Sequence, residues 1–385
     1  TSTTTTTTTQ PPATTTTTTT TQAPATTTTS TTTTQPPSEA ITTLDTGGVG
    51  TFSSVAVGSD GLFKVAYYDA TNGDLKLTSC LNTLCTSHGA PIVLASEGRT
   101  GLWPSMQIGA DGYLNIAYFD DTEGRFMSVR CTMSPSPPSG GGCAEAIFFG
   151  GTWGPLAGSN TISTAIGNHN SAGPVAASWY HDGKLMVGSV GAGPNGGPPT
   201  NIADPNPGHN MGAGPDMGQF SSIAVNQAPA GTPGWDHNPV VAYLDSDNGL
   251  LRVKKCADAL CNNIDGRTAS TLANTGPVTG ASQTSMEVPT STGNPVISYF
   301  WNQSDSATQL TSGSLNVVAC NDAECSSGET TELDSTGITG QANSMALGAN
   351  GFPVIAYYDR SNQDLKLARC SNVRCTAAVL SVVDS

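Results

Sequence analysis

Charge is scarce in this chain, and basic charge scarcest of all. Only 11% of its 385 residues are charged, and 14 Lys+Arg against 29 Asp+Glu leave a net charge of −15. With no basic patch to track phosphates, nucleic acid is excluded as an expected partner. No run of 18 apolar residues occurs, so no helical membrane span is expected. Sustained helical periodicity is also missing, which points to an all-β chain. The five histidines (His88, His169, His181, His209, His237) fall at unrelated positions, and no Ser/His/Asp spacing forms a triad. Arginines do not cluster as a sialidase-type site would need; Arg130 and Arg369 each precede a cysteine on an outer strand. Acidic residues recur at turns, a structural distribution. No catalytic residue is assigned and no enzyme is expected. The chain begins at Thr1 without Met or a signal-like segment, and is read as processed or partial.

What is abundant is threonine. Residues 1–38 carry Thr3–Thr9, Thr14–Thr21, Thr26–Thr29 and Thr31–Thr34, punctuated by Gln10-Pro11-Pro12, Gln22-Ala23-Pro24 and Gln35-Pro36-Pro37. Nothing there can bury a core. The composition reads as an O-glycosylated stalk, with acceptors among Thr3, Thr9, Thr14, Thr21, Thr26, Thr29, Thr31 and Thr34. Proline and dense glycans favour extended polyproline II, in which such a segment reaches roughly 120 Å.

From Glu39 the composition changes. VAYYDATNGDLKLTSCLNTLC (Val65–Cys85) returns as VIAYYDRSNQDLKLARCSNVRC (Val354–Cys375), so one unit is repeated. An aromatic column, Tyr67, Tyr118, Trp179, Tyr243, Tyr299 and Tyr357, marks six copies, at steps from 51 (Tyr67 to Tyr118) to 64 residues (Trp179 to Tyr243). Each copy has a Ser-bearing strand, a turn, the aromatic strand, a second turn and a third strand, which ends in Cys in every copy but the third, followed by a short apolar strand. Four short antiparallel strands, six times over, predict a six-bladed β-propeller over 39–385, with repeats at about 47–98, 99–150, 151–218, 219–276, 277–337 and 338–385. The third copy is the outlier. It lacks the cysteines and runs into Gly191–Gly218, where only Asn201-Ile202-Ala203 reads as a fourth strand. In mid-strand, the aromatic column is read as packing between blades rather than as a lectin's stacking platform.

The ten cysteines fall in local pairs: Cys80/Cys85, Cys131/Cys143, Cys256/Cys261, Cys320/Cys325 and Cys370/Cys375. An even, locally paired set reads as disulfides in an oxidising compartment, each contributing about 2 kcal/mol. Zinc is disfavoured by the CxxxxC spacing. Asp69, Asp120, Asp245 and Asp359 open the second turn, where Asp caps its own backbone. The competing reading is a calcium site drawn from groups such as Asp69, Asn72 and Asp74; no other metal or cofactor is expected. Asn302-Gln303-Ser304 is an N-glycosylation sequon in an expected turn.

The strand count does not close. Glu39–Asp45 (EAITTLD) matches fourth-strand segments such as Thr330–Asp334 (TTELD), yet the last repeat already has its own in Ala377–Val383. A surplus strand carrying Glu39, Ile41 and Leu44 can pair with the edge of another subunit.

YYDxxxxDLKLxxC repeats joined to a Thr/Pro tail resemble the secreted, glycosylated proteins of algal mastigonemes and similar surface glycofibrils, over Thr51–Cys375 in pattern and over the tail in composition. The tail departs from them in being Thr-dominated, and the third repeat in lacking its Cys pair. The resemblance implies an extracellular filament subunit whose partners are copies of itself and covalent glycans. The expected function is therefore structural, with head-to-tail assembly through the stalk and the spare strand. The alternatives are a stalked propeller lectin or adhesin and, behind it, a carbohydrate-active enzyme.

Overall fold

A computed structural model describes residues 42–58, 60–108, 113–132, 143–148, 162–166, 175–181, 184–190, 217–225, 238–257, 269–276, 283–306 and 309–384. They hold 23 strands and no helix. Blade 1 is β1 (Val49–Val57), β2 (Phe63–Asp69), β3 (Asp74–Ser79) and β4 (Ile92–Ala95); blade 2 is β5 (Thr100–Ile108), β6 (Tyr113–Asp120), β7 (Arg125–Thr132) and β8 (Cys143–Phe148). The third sheet has β9 (Ile162–Ile166), β10 (Val175–His181) and β11 (Lys184–Val190). Blade 4 is β12 (Met217–Val225), β13 (Pro239–Asp245), β14 (Leu250–Lys255) and β15 (Ser270–Asn274). Blade 5 is β16 (Thr284–Glu287), β17 (Val296–Ser306), β18 (Gln309–Cys320) and β19 (Gly328–Asp334). Blade 6 is β20 (Thr339–Leu347), β21 (Pro353–Asp359), β22 (Asp364–Cys370) and β23 (Ala378–Asp384).

Every sheet is an antiparallel meander in sequence order, and each packs on the next, which is a β-propeller. The expectation of six four-stranded blades is corrected to five; the third sheet has three strands among the described residues. Its expected fourth strand, Asn201–Ala203, lies outside them.

Period-2 alternation sends successive side chains to opposite faces, and both faces of an inner blade are buried. Val240, Ala242 and Leu244 of β13 join a core with Met286, Ile297 and Tyr299 of blade 5. Val241 and Tyr243 turn the other way, into a core with Leu185 and Val187 of the third sheet. Tyr67, Tyr118, Tyr243, Tyr299 and Tyr357 are all buried, as packing between blades requires.

The second turn forms as its Asp dictates. Asp69 Oδ1 accepts from the N–H groups of Thr71 (2.9 Å) and Asn72 (3.2 Å), while Gly73 takes the positive φ (+82°) that closes the loop. Asp359 repeats this with Ser361 and Asn362, and Asp120 with Thr122 and Glu123.

Disulfides link Cys80–Cys85, Cys131–Cys143, Cys320–Cys325 and Cys370–Cys375. Cys256 is also disulfide-bonded; Cys261 lies outside the described residues. Cys131–Cys143 is a cross-strand bond, with the two residues directly opposed on β7 and β8, whereas the CxxxxC pairs close a loop.

The threonine acceptors of residues 1–38, together with Glu39 and Ile41, lie outside the described residues. The surplus strand is corrected where it is described: residues 42–45, including the half-buried Leu44, are not strand.

Candidate functional site

Consecutive blades meet through the same contacts at several junctions, and three devices recur. First, a positive-φ glycine near the start of the inner strand lets its backbone close on a Leu of the preceding blade. A Cβ added at Gly101, Gly218 or Gly340 would fall 2.6, 2.6 or 2.7 Å from the Cα of Leu75, Leu185 or Leu315. Second, a backbone N–H donates to a Ser Oγ one blade back: Met106 to Ser54 (3.0 Å), Met286 to Ser222 (2.9 Å) and Met345 to Ser285 (2.9 Å). Third, the CxxxxC loop reaches back. Arg374 bonds the Ala319 and Cys320 carbonyls and pairs with Glu329 (3.1 Å), and Glu324 meets Lys255 (3.5 Å).

Blades 1 and 6 lack this junction. Among the described residues, no strand of one is in comparable contact with a strand of the other. A Cβ on Gly50, at φ +90°, would meet nothing within 4 Å. The Leu that repeat register places opposite it, Leu365, is 43% exposed, whereas Leu75, Leu185, Leu251 and Leu315 are at most 3% exposed. Val55 is 55% exposed; its counterparts Met106, Ile223, Met286 and Met345 are buried to 5% or less. Ser344, the Oγ acceptor that would serve the Val55 N–H, is exposed. Where the loops of blades 5 and 6 present Glu324 and Arg374, blade 1 presents Leu84 (74% exposed), and Val379 of blade 6 (66%) occupies the register position of Glu329. The two open faces therefore match each other position by position, with an apolar pair in place of the ion pair.

One part of the missing junction is filled. At blade 6, Asp334 accepts from the Tyr357 hydroxyl (2.7 Å) and pairs with Lys366, which also reaches Asp359. At blade 1 the seat made by Tyr67 and Lys76 is taken by Asp45, from the segment before β1: Tyr67 Oη donates to Asp45 Oδ2 at 2.7 Å, and Lys76 Nζ lies 3.2 Å from Asp45 and 2.7 Å from Asp69. The Tyr67 hydrogen bond holds the Asp45 carboxyl below its usual range, against the opposing effect of burial. The Lys76 hydrogen bond lowers Asp69 to about 2, and burial pushes the Tyr67 hydroxyl up to about 12. Burial works to raise Asp334, but hydrogen bonds from Lys366, Thr336 and Tyr357 together hold it low. Asp384 stands across from Leu365 as Asp334 does from Leu315.

The calcium candidates are turn caps. Asp69 is engaged by Thr71, Asn72 and Lys76, Asp359 by Ser361, Asn362 and Lys366, and Asp245 by Asn248 and Arg252, while Asp120 accepts from its own turn. Among the described residues no cluster of three or more His, Cys, Asp or Glu could hold a metal. The sequon is corrected: Asn302 lies within β17 rather than in a turn and is 1% exposed, so its amide is not presented for a glycan. Arg369 is exposed and donates to Ser381 Oγ; Arg130 stacks on the Tyr113 ring at 4.0 Å. Sequence reasoning singled out Glu39–Asp45 and did not single out Gly50, Val55, Leu84, Leu365 and Val379, which the structure leaves uncovered on blades 1 and 6. Aligning the T-G and D-L-K-L columns across repeats carries that signal, but exposure alone shows where the pattern is left unpaired.

No protein-family model and no curated protein matches the chain. Solved structures do. A prolyl endopeptidase matches at TM-score 0.46 and 11% identity over 87% of this chain, which spans 42% of that enzyme's length. The Aleuria aurantia lectin AAL matches at 0.41 and 11%, over 86% of this chain and 95% of the lectin. A Hadza microbial sialidase matches at 0.42 and 11%, over 88% and 66%. These neighbours differ in activity among themselves, and at this identity the likeness concerns the fold alone.

Proposed function

We propose that this chain is a structural subunit of an extracellular filament, in which the last blade of one copy covers the first blade of the next. The supporting observation is the pair of open, mutually matched faces on blades 1 and 6. Each presents positions that the inner blades close against a neighbour: Gly50 and Val55 on one, Leu365 on the other, with the exposed Ser344 hydroxyl beside it. A contact between two different faces of one subunit is heterologous and propagates into a filament unless its rotation closes a ring. The disulfides and the Thr/Pro-rich segment fit an oxidising, extracellular setting and an O-glycosylated stalk, and no helix among the described residues is long and apolar enough to cross a membrane.

The test is a Leu84→Cys, Val379→Cys double variant. Oxidation is expected to give a ladder of covalent multimers on a non-reducing gel, and electron microscopy regular filaments. A cross-linked monomer alone, or isolated heads on stalks, overturns the proposal. A second reading, a stalked lectin, is favoured by one observation: the cavity between blades 4 and 5 described next.

A further inference from the structure

The position that holds the Asp–Tyr–Lys seat is built in three ways around the propeller. At blades 1 and 6 it is ionic, with Lys76 and Lys366 under paired carboxylates. At blade 2 it is apolar, because Met127 replaces the lysine and Ala95 the acid, both packed with buried Tyr118. At blade 5 it is neither. Register puts Ala273 where Asp334 stands, with Asn274 the next residue along, Asn316 where Lys366 stands, and Trp301 where the turn aspartate Asp359 stands. The ion cluster is gone, and a cavity of about 320 Å³ opens to solvent, lined by Ala273, Asn274, Tyr299, Trp301, Asn316, Thr330 and Glu332.

We infer that this cavity between blades 4 and 5 binds a neutral saccharide. Half-buried Trp301 lines the cavity beside Ala273, and an indole is a side chain suited to stack on the C–H face of a pyranose ring. Asn274, Thr330 and Glu332, exposed at the rim, supply amide donors, a hydroxyl and carboxylate acceptors for ring hydroxyls. Asn316 is held in place, its amide donating to the Ser314 carbonyl (3.1 Å) and Oγ (2.8 Å), so one wall is set before any ligand arrives. The Asn302 N–H donates to the Thr275 carbonyl (3.0 Å), tying the Trp301 segment to blade 4 across the cavity. Among the described residues no Lys or Arg lines the cavity, and Glu332 stands at its mouth, which disfavours acidic sugars, sulfate and phosphate. The volume accommodates one or two sugar rings, at the lower end of the roughly 300–1,000 Å³ typical of ligand cavities. The inference does not depend on self-assembly.

The experiment titrates the full-length chain with neutral monosaccharides (glucose, galactose, mannose, arabinose) and, separately, with glucuronate, following tryptophan emission and saturation-transfer NMR. At least one neutral sugar is expected to give saturable binding in the millimolar range, weakened tenfold or more by Trp301→Ala and by Asn274→Leu. The second variant fills the rim from an exposed strand end without touching the core, so it reports on the site even where Trp301→Ala impairs folding. Glucuronate is expected to bind at least tenfold more weakly. No saturable binding by any neutral sugar to folded wild-type protein, binding unchanged in Asn274→Leu, or a preference for glucuronate overturns the inference.

Discussion

Replacing Leu365 by Asp tests the open-face reading most directly, because the residue is exposed in the single subunit and buried at every equivalent position where a next blade follows. At 43% exposure its side chain has roughly 80 Å² left to bury, which at about 25 cal/mol per Å² corresponds to about 2 kcal/mol of copy-to-copy association. The substitution forfeits that and sets an unpaired carboxylate against the backbone of Gly50 in the docked neighbour. Burying such a group costs a further few kcal/mol. At about 1.4 kcal/mol per factor of ten, association should weaken by at least a hundredfold. The free subunit loses no buried contact, so its own stability should change by no more than about 0.5 kcal/mol. Sedimentation velocity and negative-stain microscopy on secreted protein read the first effect, and thermal unfolding the second. Leu365→Asp protein that assembles at wild-type concentrations would refute the reasoning, as would a large loss of monomer stability, which would mean that Leu365 is already packed within its own propeller.

Other outcomes follow from the buried polar groups. Burial alone raises the Glu287 carboxyl to about 7. The native state therefore holds a proton more tightly than the unfolded chain, and stability falls as pH rises from about 4.5 to 7, by about 3 kcal/mol; Glu287→Gln should flatten that slope and raise the midpoint at neutral pH, seen in pH-dependent denaturant unfolding. Asp69→Ala removes two backbone caps and one of the two carboxylate partners of Lys76, from a buried side chain at the base of an exposed turn, and should cost about 2–4 kcal/mol. Calcium or a chelator should leave the wild-type melting temperature unchanged; a calcium-dependent rise lost in Asp69→Ala would restore the metal reading. Asp45 has its pKa depressed in the fold, so its contribution is present above its unfolded value near 4 and lost as pH falls through the lower folded one. Asp45→Asn vacates the seat on Tyr67 and Lys76 for Asp384 of a docked copy and should lower the critical concentration for assembly, measured by pelleting; a higher critical concentration would show that Asp45 itself is part of the interface.

The sequence by itself determined the repeat, the strand order within each blade and the local chemistry of the turns. These are set by short-range patterns: alternation along Val240–Asp245, an aspartate opening the second turn in four of the six copies, and cysteines a few residues apart, whose bonding is dictated by proximity along the chain. A sequon could be read but not its burial, because whether Asn302 faces solvent depends on β17 continuing past the point where other repeats turn. The surplus EAITTLD segment was legible as a copy of a fourth strand, but its described part is not strand and instead delivers one carboxylate to Tyr67 and Lys76. Only the tertiary structure decided which copies of an almost identical motif are covered. DLKL at Leu75 and DLKL at Leu365 have the same local sequence, and one leucine is sealed under Gly101 while the other is open to water. The physical reason is that a blade's stability is completed by its neighbour, and the neighbour of the last blade is encoded nowhere in its own residues.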